Sequence, residues 1–235
     1  MRSFFVGWAL VISIAGCGSK PPPPVKSEPK EVPVAAEETS SGPAARSEIG
    51  GLNEEAVARV FERMNEDVQN CFAKGSSKVS GLGGHIKMKL RINPQGALKW
   101  AYMSESSIGD RDTEKCLLDA ARAKSWPQPV GGDGLADRAY DVDPPSPVKE
   151  IDPKKYKVAL ALVSKETAKC RKNGTWGKVF RVTAYLRYNG LPITVGIAPP
   201  NEKGEDVVDC MVKIIQKIKF GGIGRRLGKM SFDLR

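Results

Sequence analysis

The feature that most constrains this chain is an echo of itself. Gly96, Cys116 and Trp126 recur as Gly190, Cys210 and Phe220, each 94 residues later, so glycine to cysteine is 20 residues and cysteine to aromatic is 10 in both halves. A spacing kept at three positions marks a duplicated unit. With 7 Phe, 4 Trp and 5 Tyr, the chain is also poor in aromatics for one core spread over 235 residues. Two small units use so few large rings more naturally than one large domain does.

The periodicities fill in the unit. Val57, Phe61, Met64, Val68 and Phe72 recur at steps of three and four, which predicts an amphipathic helix over 53–73 with Asn53 as its cap. Ile86, Met88, Leu90 and Ile92 alternate with Lys87, Lys89 and Arg91, the pattern of a strand with one dry and one wet face. Asn93-Pro94-Gln95-Gly96 makes a turn, and Ala97–Ser104 returns as a second strand. Asp110 caps a second helix carrying Cys116, and Arg138–Asp143 closes the sheet. The second half repeats the order. A helix over Lys155–Lys172 is followed by an alternating strand from Phe180 to Tyr188, an Asn189-Gly190 turn and a return strand over Leu191–Ala198. A helix through Val207–Ile218 and a strand over Lys229–Leu234 complete it. The fold class expected is α+β: two small two-layer α-β-β-α-β domains in tandem, at 51–145 and 154–235, with a Pro-rich linker over 146–153.

The amino terminus reads as an address. An apolar run from Phe4 to Ala15 is too short to cross a bilayer, which needs roughly 20 helical residues, and fits the core of a signal peptide over 1–16. Its end, Ile14-Ala15-Gly16-Cys17, resembles the lipobox of bacterial lipoproteins, which implies acylation of Cys17 and a lipid anchor in the membrane. Gly18 rather than Asp after the cysteine implies the periplasmic side of the outer membrane of a Gram-negative cell. Residues 17–50 then run through Pro, Glu, Lys, Ser and Ala without an aromatic, a composition that reads as a disordered tether.

Four cysteines remain. Cys71 and Cys116 in the first half, and Cys170 and Cys210 in the second, each place one thiol at the end of a first helix and one early in a second helix on the same sheet face. In an exported, oxidised protein such pairs predict the disulfides Cys71–Cys116 and Cys170–Cys210. A redox site would want Cys-x-x-Cys, and a zinc site close ligand pairs, whereas the chain has a single His.

Charge and chemistry narrow the function. The net charge of +10 is uneven: residues 1–50 hold 5 basic and 5 acidic groups, 51–150 hold 14 and 15, and 151–235 hold 18 and 7. Export argues against nucleic acid as the partner of that basic half. The lone His85 and the pairs Asp110/Asp112 and Asp141/Asp143 read as an edge residue, a helix cap and a strand end. The Gly222–Gly228 run reads as a basic turn rather than a phosphate loop, because it follows a helix. No catalytic constellation, cofactor site or metal site is expected, so the chain reads as a binding protein and not an enzyme.

The first half carries a resemblance. A helix ending at Cys71, an alternating strand opened by Gly84, the Asn93–Gly96 turn, Ser104-Glu-Ser-Ser-Ile-Gly-Asp110, Cys116 and Trp126-Pro-Gln-Pro-Val-Gly-Gly132 together resemble the carboxy-terminal domain family named for the gliding-motility proteins AgmX and PglI. That family is similar to the carboxy-terminal domain of TonB. The second half keeps Cys170, Gly190, Cys210 and Phe220 but lacks the Gly-Asp segment, like a diverged copy. The resemblance implies a cell-envelope adaptor or scaffold that captures partner protein strands at a sheet edge, in a motility or transport machine. The candidate edges are Ala97–Ser104 and the strand holding Arg138, Tyr140 and Val142. The alternative is a cell-wall or anionic-lipid binder in which Lys213, Lys217, Lys219, Arg225, Arg226 and Lys229 of the basic half meet peptidoglycan or head groups.

Overall fold

The first half builds its sheet as expected and then adds to it. In the computed structural model, which describes residues 44–47, 51–171 and 179–235, strand β1 (Ala44–Ser47) precedes helices α1 (Glu54–Arg63) and α2 (Asn65–Lys78), strands β2 (Gly84–Ile92) and β3 (Leu98–Ser106), helix α3 (Arg111–Arg122) and strand β4 (Gly134–Val142). The residues expected to form the signal peptide, Cys17, most of the expected tether and Lys172 lie outside the described residues. The second half runs β5 (Lys149–Glu150), α4 (Lys157–Thr167), β6 (Phe180–Leu186), β7 (Pro192–Ala198), α5 (Glu205–Ile215) and β8 (Gly228–Leu234). The sheet orders are β1-β4-β2-β3 and β5-β8-β6-β7. In each sheet the closing strand lies against the first strand of the hairpin rather than the second, and a short fourth strand is added against that closing strand. β1 joins antiparallel to β4, and β5 joins parallel to β8.

Three expectations change. The first helix is two, because the chain bends at Met64, whose N–H is shared between the Val60 and Phe61 carbonyls at 3.1 Å each. Residues 44–47, expected in the disordered tether, form β1. Edge pairing uses backbone groups and does not need an apolar sequence. The expected helix over Lys155–Lys172 shortens to α4 between 3-10 turns at Pro153–Tyr156 and Ala168–Arg171.

The 94-residue spacing extends to hydrogen bonds. Gly96 and Gly190 both close their hairpins at positive φ, 79° and 81°, where a side chain would be strained. The carbonyl of Gly96 accepts the Trp126 N–H at 3.1 Å, and that of Gly190 accepts the Phe220 N–H at 2.9 Å. Both disulfides form, with Cα separations of 5.7 Å for Cys71–Cys116 and 5.9 Å for Cys170–Cys210. The same offset aligns the strands, so that Ile86, Met88, Leu90 and Ile92 correspond to Phe180, Val182, Ala184 and Leu186, and all eight are buried.

The faces opposite the helices differ. On β2 that face holds Lys87, Lys89 and Arg91; the equivalent positions on β6 are Arg181, Thr183 and Tyr185. Thr183 and Tyr185 are buried, and Tyr185 belongs to the core of the first half. On this face the second sheet is not solvated at its centre. It is covered because the first half packs on it, and the two halves lie in one compact unit.

Candidate binding edge and the interface between the repeats

The interface forms where β3 and α3 of the first repeat meet β6, β7 and α5 of the second. Gly109 lies against Thr183 and Tyr185, and its Cα would sit 2.9 Å from a Cβ placed on Gly196. Gly196 replaces, at the 94-residue offset, the bulky Tyr102. The missing side chain is what lets the Ile108-Gly109-Asp110 loop approach the sheet. Asp110 caps α3, accepting the Thr113 N–H at 3.1 Å and its hydroxyl at 2.6 Å. The Gly-Asp segment thus starts a helix and seats the second repeat at the same time.

Tyr185 is the plug of this interface. It is fully buried, and its hydroxyl donates to the Gly81 carbonyl at 3.0 Å. Burial pushes its pKa up to about 12. Lys229 packs over its ring at 5.7 Å and donates to the Gly83 carbonyl at 2.9 Å, and burial lowers the lysine's pKa. Lys229, counted in the sequence among the basic residues of the second half, is half-buried and bridges the two repeats. Lys213, Lys217, Lys219, Arg225 and Arg226 are exposed.

Charged groups complete the seam. The Arg111 guanidinium, 9% exposed, binds Glu205 at 2.6 Å and Asp209 at 2.7 Å, and Lys115 reaches Asp209 at 3.0 Å. Arg111 and Glu205 are equivalent positions of the two repeats, as are Lys115 and Asp209. Contact between equivalent residues is the mark of a two-fold relation. Opposite charges on the two copies turn what would be self-repulsion into pairing. Burial works against the Arg111 charge, yet the carboxylates around it more than offset that and its pKa rises. Glu114 is wholly buried beside them. Its carboxyl accepts the Ser106 hydroxyl at 2.6 Å and the Ile197 N–H at 3.2 Å, so a side chain from α3 satisfies a backbone donor of β7. Burial pushes its pKa up to about 8. Arg111, Glu114 and Tyr185 were not singled out in the sequence. The readable signal was Thr183 and Tyr185 at positions where a wet strand face should be charged.

The two candidate edges fare differently. The edge of β3, expected over Ala97–Ser104, lies against the second sheet. The outer edge of β4 is the more open one. Arg138, Tyr140 and Val142 sit there opposite Met88, Ile86 and Gly84 of β2, with the Arg138 guanidinium 5.5 Å from the Tyr140 ring centre. Burial raises the Tyr140 pKa. β1 pairs with this edge only from Gly134 to Asp137, and among the described residues no strand lies outside Arg138–Val142.

The other singled-out side chains are engaged structurally. His85 bonds Asp141 across the sheet at 2.9 Å, and Asp112 pairs with Lys78. Among the described residues no three His, Cys, Asp or Glu side chains group to hold a metal ion. No family model, curated protein or solved structure matches this chain.

Proposed function

We propose that this chain is a non-enzymatic envelope adaptor that holds an extended strand of a partner protein on the outer edge of β4. One observation carries the reading: the chain's own Ala44–Ser47 already adds to that edge as an antiparallel strand, from Gly134 to Asp137. The edge accepts a short strand by antiparallel backbone pairing, and the adjoining Arg138–Val142 offers the same kind of backbone groups to another chain. Tyr140 and Arg138 would supply side-chain selectivity beside it. The lipobox-like leader and the resemblance of the first repeat to the AgmX/PglI and TonB-like domains support an exported, lipid-anchored setting on the periplasmic side of the outer membrane, in a motility or transport machine.

The test uses the alternation of a strand. Successive N–H groups point to opposite sides, so of Ala139→Pro and Tyr140→Pro one removes an outward donor and the other an inward one. Photo-crosslinkers at Arg138 and Val142 in intact cells are expected to capture a partner protein, and the proline that removes the outward donor should abolish capture while leaving thermal unfolding near wild type. Capture that both prolines leave unchanged, or crosslinks confined to other surfaces, would refute the reading.

A further inference from the structure

We propose that the loop end of the second repeat is a docking surface for an anionic lipid bilayer. Three segments meet there. The carbonyl of Tyr188, in the β6–β7 hairpin tip, accepts the Ile223 N–H at 3.1 Å, tying the tip to the loop before β8. The 3-10 turn Pro153–Tyr156 reaches the same loop, with the Tyr156 hydroxyl donating to the Gly222 carbonyl at 3.4 Å. Together they bring Arg187, Arg225, Arg226, Lys154 and Lys155 to one exposed end. No acidic residue occurs between 216 and 229; Glu150 and Asp152, which caps the turn through the Lys154 N–H, lie on the neighbouring segment, and Lys149 adds a further cation by donating to the Ile223 carbonyl at 3.4 Å.

Two exposed apolar side chains lie on or directly after these segments. Tyr188 is 68% exposed, and Val158, two residues beyond Tyr156, is 87% exposed. The mixture decides the partner. A soluble polyanion would neutralise the arginines and leave Tyr188 and Val158 in water, and a second copy of the chain would set like charges against each other. An anionic bilayer satisfies both, since its surface attracts Lys and Arg while its interfacial zone takes up tyrosine and aliphatic groups.

The first repeat has no counterpart of this basic end. At the 94-residue offset, Arg187, Tyr188, Arg225, Arg226 and Leu227 stand where the first repeat has Asn93, Pro94, Gly131, Gly132 and Asp133. None of the earlier five is basic, and Asp133 is itself paired with Arg91 at 2.8 Å and Lys99 at 2.7 Å. This surface and the β4 edge belong to different repeats, so either assignment can fail alone.

The experiment is co-sedimentation of the full chain with phosphatidylcholine vesicles and with vesicles also containing phosphatidylglycerol. The apolar leader contributes alike to both, so the readout is the difference. Phosphatidylglycerol should tighten binding by about tenfold or more at low salt, and the gain should fade as salt rises. The triple variant R187E/R225E/R226E should lose the gain, R187K/R225K/R226K should keep it, and Tyr188→Ser should weaken it severalfold, all with unfolding curves like wild type. Equal binding to both vesicles, a triple glutamate variant with unchanged lipid preference, or soluble polyglutamate bound as tightly as the vesicles would overturn the proposal.

Discussion

Two copies of one architecture have been put to opposite uses, and the central strands show how. In β2 the helix-facing positions are apolar and the other face carries Lys87, Lys89 and Arg91. In β6 the helix-facing positions are equally apolar, but the other face carries Thr183 and Tyr185, and both are buried. On the neighbouring strand Trp100 and Tyr102 of the first repeat become Thr194 and Gly196. These changes turn a solvated sheet face into a mating surface without altering the strands that present it. The lesson is that backbone pattern and disulfide placement are set by the shared core, while the wet face is free to diverge.

The comparison can be broken most sharply at Tyr185. Tyr185→Ala removes a buried ring that belongs to the other repeat's core and should cost about 3–5 kcal/mol of stability by chemical denaturation. Arg91→Ala, at the equivalent site in the first repeat, removes a part-buried pairing with Asp133, which Lys99 also holds, and should cost much less than the loss of Tyr185. Equal losses would mean that the two faces are not functionally different.

The disulfides test what the repeats share. They close loops of 45 and 40 residues, so replacing either pair by serine should cost about 4 kcal/mol in the chain-entropy account. Thermal unfolding of the two double variants should show similar losses. A loss confined to one bridge would show that one repeat is held by other means.

Gly196→Ala is a smaller probe of the seam. A methyl there meets Glu114 Oε1 at 2.4 Å and the Asp110 nitrogen at 2.9 Å, so the loop must retreat at a cost of about 1–3 kcal/mol. An unchanged melting temperature would contradict the close approach.

The finest probe is pH. The folded pKa of Glu114 is raised from an ordinary value of 4.5 to about 8 by burial. The folded state therefore holds a proton that the unfolded chain releases, and the carboxyl's contribution is complete below about pH 4.5 and lost as pH rises through about 8. Glu114→Gln keeps hydrogen-bonding groups without the ionisation, so its stability should decline less than wild type over that window. Parallel pH profiles would show that Glu114 does not titrate in the seam.

Much of this was legible because it rests on local rules. The Gly96/Gly190 turns, the Asp110 cap, the alternating strands and both cysteine pairs follow from positive φ, capping and periodicity, which act within a few residues. What was not legible depends on partners distant in the chain. The bend at Met64 leaves the apolar spacing intact, so periodicity does not record it. β1 forms by backbone pairing in a segment whose composition argues for disorder. Lys229 counts as surface charge until Tyr185 and Gly83 are seen beside it, and Glu114 looks like any polar helix residue until β7 covers it. The strand with Arg138, Tyr140 and Val142 was one of two candidate edges in the sequence, and neither the cover of the other by the second sheet nor the partial cover of this one by β1 could be read there.

The central claim is that the seam makes the two repeats one cooperative structure. Scanning calorimetry of the oxidised full chain, compared with Tyr185→Ala, tests it most directly. The account predicts one transition in wild type whose calorimetric and van't Hoff enthalpies agree, and its resolution into two transitions in the variant. Two independent transitions already present in wild type, unmoved by Tyr185→Ala, would contradict it.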